Sequence, residues 1–152
     1  MSRHRLVVAV VVVMGCRGVK TPVGPVAPGE RDDECTPDAR PQAPGLHPAA
    51  GTVLRGTRGT AMRAVITVVA PPAAAVEAVE VAVGGPLPAG MTIRCSTDGC
   101  RVAAGARGCV VIAGTPSEAA SVTLRVETQA IVAPDAERPP ARVDVYRLDV
   151  GR

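Results

Sequence analysis

Residues 84–126 decide the fold; they read GGPLPAGMTIRCSTDGCRVAAGARGCVVIAGTPSEAASVTLRV. Two turns rich in proline and glycine, residues 86–90 and 113–116, enclose a run that carries three cysteines. Because proline fixes φ and glycine permits positive φ, each turn is specified by its own residues. Residues 122–126, VTLRV, alternate apolar and polar side chains with period two. That alternation is typical of a half-buried strand.

The composition of the chain favours an all-β core. The 152 residues include no Phe, no Trp and one Tyr, Tyr146, so the core has to be built from Val, Ala, Leu, Ile and Met. β-Branched residues are enriched in strands, and valine dominates the apolar positions here. A chain of this length predicts one domain.

The spacing of the alternating runs predicts a two-sheet sandwich. Short strands are expected at residues 52–54, 60–70, 76–83, 91–94, 101–104, 109–113, 121–131 and 142–150. About seven short strands at this spacing are typical of an Ig-like sandwich. In the last of them the alternation slips, since Val143 and Val145 share one face while Tyr146, Leu148 and Val150 share the other. We therefore expect a β-bulge near Val145 or Tyr146.

The order of turns and strands resembles the Ig-like (cadherin-like) repeats of bacterial surface proteins, which run LPxGL, a strand, a GTP turn and an alternating strand. The residues that match are Leu87, Pro88, Gly90 and Met91 in the first turn, Gly114, Thr115 and Pro116 in the second, and Gly59 and Thr60 before the first long strand. The resemblance covers residues 52–150 and implies an Ig-like β-sandwich. Thr128-Gln129-Ala130 stands where the family often has an aspartate, so the resemblance gives no support for calcium binding.

The first 15 residues read as a signal peptide. A basic start, residues 1–5, precedes an apolar run, residues 6–13, that is too short to span a bilayer. The run ends in Val13-Met14-Gly15-Cys16, which resembles the lipobox of bacterial lipoproteins. The resemblance implies cleavage before Cys16, lipidation (palmitate and other acyl chains) of that residue and anchoring in a membrane of the bacterial cell envelope, the outer membrane by its sorting residue Arg17. Ordinary secretion with cleavage near Gly15 is the alternative.

Residues 16–50 are predicted to be a linker, and residues 51–152 the Ig-like domain. The linker is rich in proline and glycine and has few apolar side chains, so it cannot bury enough surface to offset the entropy of ordering. Removing Arg3 and Arg5 with the signal peptide leaves 15 basic residues against 14 acidic ones. This balance, with no aromatic platform for bases, argues against a nucleic-acid partner.

Four cysteines remain after Cys16, and an even number in an exported chain indicates two disulfides. Three connectivities are possible. We favour Cys95–Cys100, because the four residues between them, Ser-Thr-Asp-Gly, are typical of a tight turn. The remaining pair is then Cys35–Cys109. The rival interpretation, a metal site, is disfavoured because Cys-x4-Cys without a suitable histidine is poor zinc spacing.

No catalytic pattern is present in the sequence. Past Cys16 the one histidine is His47, in the predicted linker, so Ser-His or Cys-His chemistry is not expected. Glu77 and Glu80 are three residues apart on one predicted strand and therefore point to opposite faces. No phosphate loop, metal triad or dinucleotide fingerprint occurs. We expect a protein that is not an enzyme and that needs no cofactor and no metal.

Two loops are candidate binding surfaces, since sandwich domains display functional loops at their ends. The stronger is the cysteine insert, residues 95–109, with its flank: Arg94, Asp98, Arg101 and Arg107 are the candidate binding residues, suited to carboxylates or sulfated glycans. The other is the loop at residues 133–141. The expected function is a lipid-anchored surface or periplasmic module that binds an unknown protein or glycan. The alternative is a structural lipoprotein subunit of an envelope or secretion assembly.

Overall fold

The computed structural model describes residues 35–41, 43–72 and 74–152. The predicted signal peptide, Cys16 and residues 17–34 of the predicted linker lie outside the described residues. The described part of the chain forms nine strands: β1 (Gly45–His47), β2 (Val53–Thr57), β3 (Met62–Val69), β4 (Val76–Gly84), β5 (Met91–Cys95), β6 (Arg101–Ala103), β7 (Arg107–Gly114), β8 (Ala120–Val132) and β9 (Arg142–Gly151). It contains no helix long and apolar enough to cross a membrane.

The strands form two sheets that face each other across one core. The first sheet has four strands in the order β1-β3-β7-β5, and the second has five in the order β2-β9-β8-β4-β6. All pairings are antiparallel except β2 with β9, which is parallel. The prediction of an all-β, two-sheet sandwich is confirmed, with nine strands in the described residues where about seven were expected.

The chain enters the sandwich by switching from one sheet to the other. β1 pairs with β3, a cis peptide bond joins His47 to Pro48, and β2 then pairs with β9 in the opposite sheet. The Tyr146 hydroxyl donates to the Pro48 carbonyl at 2.8 Å, which fixes the crossing point. The predicted domain boundary at residue 50 is therefore wrong, because β1 and the crossing belong to the sandwich.

The core consists of small aliphatic residues from both sheets. Alternation places Met62, Ala64, Ile66 and Val68 of β3 on one face, and that face points inward. Their partners from the second sheet include Val79, Val81, Val83, Val122, Leu124, Val126, Tyr146 and Leu148. Tyr146, the one aromatic residue of the chain, is fully buried among them.

β9 contains no bulge, and that prediction is wrong. Its register with β8 runs without a break from Ala120↔Val150 to Thr128↔Arg142. The inward positions are Asp144, Tyr146, Leu148 and Val150, so Asp144 occupies a core position while Val143 and Val145 remain 53% and 45% exposed. A register shift occurs instead in β4, between Val76 and Ala78.

The two turns rich in proline and glycine, residues 86–90 and 113–116, pack against each other. The Thr115 amide donates to the Gly90 carbonyl at 3.1 Å, and the Ser117 amide donates to the Ala89 carbonyl at 3.0 Å. Gly114 has a φ of +142°, and a Cβ there would overlap the Gly90 backbone. Glycine is thus required because the two turns approach too closely for a side chain.

Candidate functional site

The cysteine insert connects the two sheets at their shared edge. β5 is the edge strand of the four-stranded sheet, β6 is the edge strand of the five-stranded sheet, and β7 returns to the four-stranded sheet. The insert therefore spans the gap between the sheets on this side of the sandwich.

A disulfide-closed turn forms the tip of the insert. Cys95 and Cys100 are bonded, with their Cα atoms 5.1 Å apart. Thr97 braces the turn, since its hydroxyl donates to the Arg101 carbonyl at 2.6 Å and its carbonyl accepts from the Cys100 amide at 3.1 Å. Gly99 and Cys100 both have positive φ, 66° and 55°, as a turn of this tightness requires. The geometry of the tip is therefore fixed by covalent and local bonds.

The second disulfide ties the start of the described chain to the outer face of the four-stranded sheet. Cys35 is bonded to Cys109 of β7, with a Cα separation of 5.8 Å. The Asp38 amide donates to the Thr67 hydroxyl at 2.9 Å, so Thr67 is buried although it points away from the core. The structure thus contains both disulfides that the sequence analysis favoured.

An ion pair closes the segment that follows Cys35. The Arg40 guanidinium contacts the Asp38 carboxylate at 2.7 Å. Hydrogen bonds from the Arg40 side chain and amide lower the pKa of Asp38 to about 2. Because both side chains face water, this pair adds little to stability.

A groove runs between β4 and β5, beyond the end of β6. β6 has only three residues and pairs with Ala78–Glu80, so no described strand pairs with the rest of β4 on that side. The groove is a cavity of about 550 Å³. Val81 and Val83 of β4 and Ile93 of β5 form its apolar wall, and the disulfide turn closes one end.

The backbone of β5 presents hydrogen-bonding groups to this groove. The Ser96 amide donates to the Cys109 carbonyl, and the Gly90 carbonyl accepts from the Thr115 amide, so the even-numbered residues of β5 point toward β7. Since the backbone groups of a strand alternate in direction, those of Ile93 and Cys95 point away from β7. No described strand lies on that side of β5. β5 is therefore an open edge with an apolar wall beside it.

The four candidate binding residues do not form one cluster. Arg94 and Asp98 line the groove, and Arg101 lies in β6 directly opposite Glu80 of β4. Arg107 begins β7, donates to the Pro41 carbonyl at 2.9 Å and lines a different cavity with Pro44 and Pro72. Arg94 lies opposite Val111 of β7, and Arg107 is four residues from Val111 along that strand. The two arginine positions are therefore roughly 13 Å apart along the strand direction.

Three groove residues, Val81, Val83 and Ile93, were missed as site residues by the sequence analysis. Val81 belongs to the core, and Val83 and Ile93 pack against it. Ile93 and Val83 are nevertheless only partly buried. The signal in the sequence is the difference in length between the predicted strands at residues 76–83 and 101–104, which leaves part of β4 without a described strand on the side opposite β8.

The second candidate loop, residues 133–141, is held at its base. The Gln129 side chain donates to the Pro139 carbonyl at 3.0 Å, and the Ala136 amide donates to the Ala133 carbonyl at 3.0 Å. Among the described residues, no group of three His, Cys, Asp or Glu side chains is arranged to hold a metal ion.

Comparison with known proteins identifies a similar fold but no sequence family. No protein-family model and no curated protein matches the chain. Among solved structures, the chain is similar to WR4, a member of the MSP family of C. elegans, with 9% identity and a TM-score of 0.50 over 70% of this chain and 96% of that chain. It is similar to the ASH/PapD-like domain 7 of human CEP192, with 7% identity and a TM-score of 0.47 over 70% and 83% of the two chains.

A third similar structure is a family 123 glycoside hydrolase from Clostridium perfringens, with 10% identity and a TM-score of 0.44 over 64% of this chain and 22% of that chain. At these identities the likeness concerns fold alone. The chain has an Ig-like two-sheet β-sandwich fold.

Proposed function

We propose that this chain is a non-catalytic, lipid-anchored Ig-like module of the bacterial cell envelope that binds an extended segment of a partner protein in the groove beside β5. The observation that supports this most directly is the open edge of β5. Ile93 and Cys95 direct backbone donors and acceptors to a groove with an apolar wall. An added strand satisfies such groups along its length, and side chains on one of its faces enter the pockets.

The disulfide turn prepares the edge for binding. Cys95, the last residue of β5, is bonded to Cys100, which holds the end of the strand and the closed end of the groove in place. A site that is already ordered loses less entropy when a ligand binds. Arg94 and Asp98 line the groove and give it one positive and one negative side chain. These charges favour a bound segment whose own charges are complementary to them.

A protein segment suits the groove better than a glycan. Glycan sites commonly stack sugar rings on exposed aromatic side chains, and the one aromatic residue of this chain, Tyr146, is fully buried. The groove instead offers aliphatic walls and main-chain groups at strand spacing, which an extended peptide matches.

Export to an oxidising compartment is supported by the disulfides, because such bonds are rare in reducing compartments. Anchoring at Cys16 and an outer-membrane address rest on the lipobox-like sequence alone. An assignment without catalysis is supported by His47, whose Nε2 lies 2.9 Å from the Ala43 carbonyl, so its ring is engaged locally.

The test is to capture partners from solubilised envelopes with the full-length protein carrying a C-terminal tag. The key variant is Ile93→Pro, which removes an amide that points away from β7 and leaves the β5–β7 ladder intact. Ile93→Ala is the matched control, because it removes the same side chain and keeps the amide. A partner that is captured by wild type and Ile93→Ala but lost with Ile93→Pro supports strand addition.

A partner held equally by Ile93→Pro and Ile93→Ala excludes strand addition at β5. If such a partner belongs to a multi-subunit envelope complex and stays at fixed stoichiometry, the alternative function as a structural lipoprotein subunit is favoured instead.

A further inference from the structure

Asp144 occupies a position that the fold reserves for an apolar side chain. It shares the inward face of β9 with Tyr146, Leu148 and Val150, and its side chain is only 8% exposed. A valine on either side of it, Val143 and Val145, points outward to solvent. Burying a carboxylate costs free energy that an aliphatic residue at the same place does not. Local conflicts of this kind are concentrated at functional sites.

One oxygen of the Asp144 carboxylate is engaged and the other is not. Arg142 donates to Oδ1 through Nε at 3.2 Å and through a terminal nitrogen at 3.0 Å. Oδ2 accepts no hydrogen bond from any described residue. No fully buried side-chain oxygen or nitrogen of the described residues lacks a partner, so Oδ2 has to reach an accessible surface. Asp144 is one of the residues that line a cavity between the sheets.

The cavity lies between the two sheets where loop 133–141 leaves them. It has a volume of about 250 Å³. Its walls are aliphatic, from both sheets and from the segments that flank β1 and β3: Leu46, Val68, Val79, Pro44 and Pro71. Asp144, Arg142 and Thr128 supply the polar edge. Drug-sized ligands occupy roughly 300–1,000 Å³, so this cavity suits one side chain or one small ring system.

We propose that this cavity binds a flat apolar group that carries a single N–H donor, of the indole type, with the N–H directed to Oδ2 of Asp144. The apolar walls select the ring, and the accepting oxygen selects a donor. Arg142 already neutralises Asp144, so a neutral donor is favoured over an ammonium group, which would place a second cation beside Arg142. The chain has no Trp or Phe of its own to fill this space.

The experiment is a titration of the full-length protein with indole, followed by indole fluorescence. The protein contains no tryptophan, so excitation at a wavelength that Tyr146 does not absorb gives a signal from the ligand alone. The comparison ligand is 1-methylindole, which has the same ring without the N–H. We expect 1-methylindole to bind at least about ten-fold more weakly, as for the loss of one hydrogen bond to a charged acceptor. Equal affinity for the two ligands, or no binding of indole, overturns the proposal.

The variant Asp144→Val keeps the inward position apolar and removes the acceptor. It should fold at least as well as wild type and should bind the two ligands with equal affinity. Asp135→Ala, at an exposed position of loop 133–141, is the control and should keep the preference for indole. A preference for indole that survives in Asp144→Val contradicts the role given to Asp144.

The indole ring could belong to a tryptophan side chain of a partner protein or to a free metabolite. A titration with N-acetyltryptophanamide distinguishes these two sources. Tighter binding than indole indicates a tryptophan side chain of a partner protein, and weaker binding indicates a free aromatic metabolite. The site is independent of the groove at β5, so failure here leaves strand addition untouched, and Ile93→Pro should not change the affinity for indole.

Discussion

The disulfide between Cys35 and Cys109 should contribute more to stability than the one between Cys95 and Cys100. The two bonds join residues 74 and 5 positions apart in sequence. The entropy lost by closing a loop in the unfolded chain grows with the logarithm of its length. By that relation the long loop is worth about 4 kcal/mol and the short one about 2 kcal/mol. Cys109 is also 2% exposed, so its replacement removes buried packing as well.

The comparison needs two double variants, Cys35→Ala/Cys109→Ala and Cys95→Ala/Cys100→Ala, since removing both partners avoids a stray thiol. Equilibrium urea unfolding followed by far-UV circular dichroism gives the loss of unfolding free energy for each. We expect the first variant to lose roughly 2 kcal/mol more than the second. If the second variant loses as much unfolding free energy as the first, the inference that the Cys35–Cys109 disulfide holds residues 35–41 on the sheet is wrong.

Two further predictions concern alkaline pH and the membrane anchor. Burial, and then the nearby Asp144 charge, raises the pKa of Tyr146 from 10 to about 12. The folded protein therefore holds the phenol proton more tightly, so stability is intact below pH 10 and falls by roughly 2–3 kcal/mol as the pH rises through 12. Urea unfolding at pH 9 and pH 11.5 measures this, and Tyr146→Phe should lose the dependence. Cys16→Ala should leave the protein unprocessed or release it from the membrane fraction; an unacylated residue 16 in the wild-type protein by mass spectrometry would refute the anchor.

Much of the fold follows from local chemistry in the sequence. The two turns at residues 86–90 and 113–116 specify themselves through proline and glycine, and the structure packs them against each other. Period-two alternation predicted a half-buried strand over residues 122–126, and there Leu124 and Val126 are buried while Thr123 and Arg125 are exposed. These features could be predicted because each is determined by residues close together in the chain.

The errors arise where contacts between distant residues decide the outcome. β1 lies in a proline-rich stretch with no strand pattern, and it forms because β3 offers a partner and the Tyr146 hydroxyl fixes Pro48 at the crossing. The bulge was predicted in β9 because Val143 and Val145 share one face of the strand while Tyr146, Leu148 and Val150 share the other, and Asp144 lies on the face of Tyr146. Asp144 points into the core, and the inward position is compensated by Arg142. The groove could not be located from the strand lengths alone, because its position depends on which residues of β4 pair with β6.

Site-specific photo-crosslinking in cells tests the central claim, strand addition beside β5, most directly. A photoreactive amino acid is placed at Val83, in the wall of the groove, or at Val143, which is exposed on the outer face of the same five-stranded sheet. Strand addition at β5 predicts a covalent adduct with a partner protein from position 83 and none from position 143. An adduct from position 143 alone would contradict it.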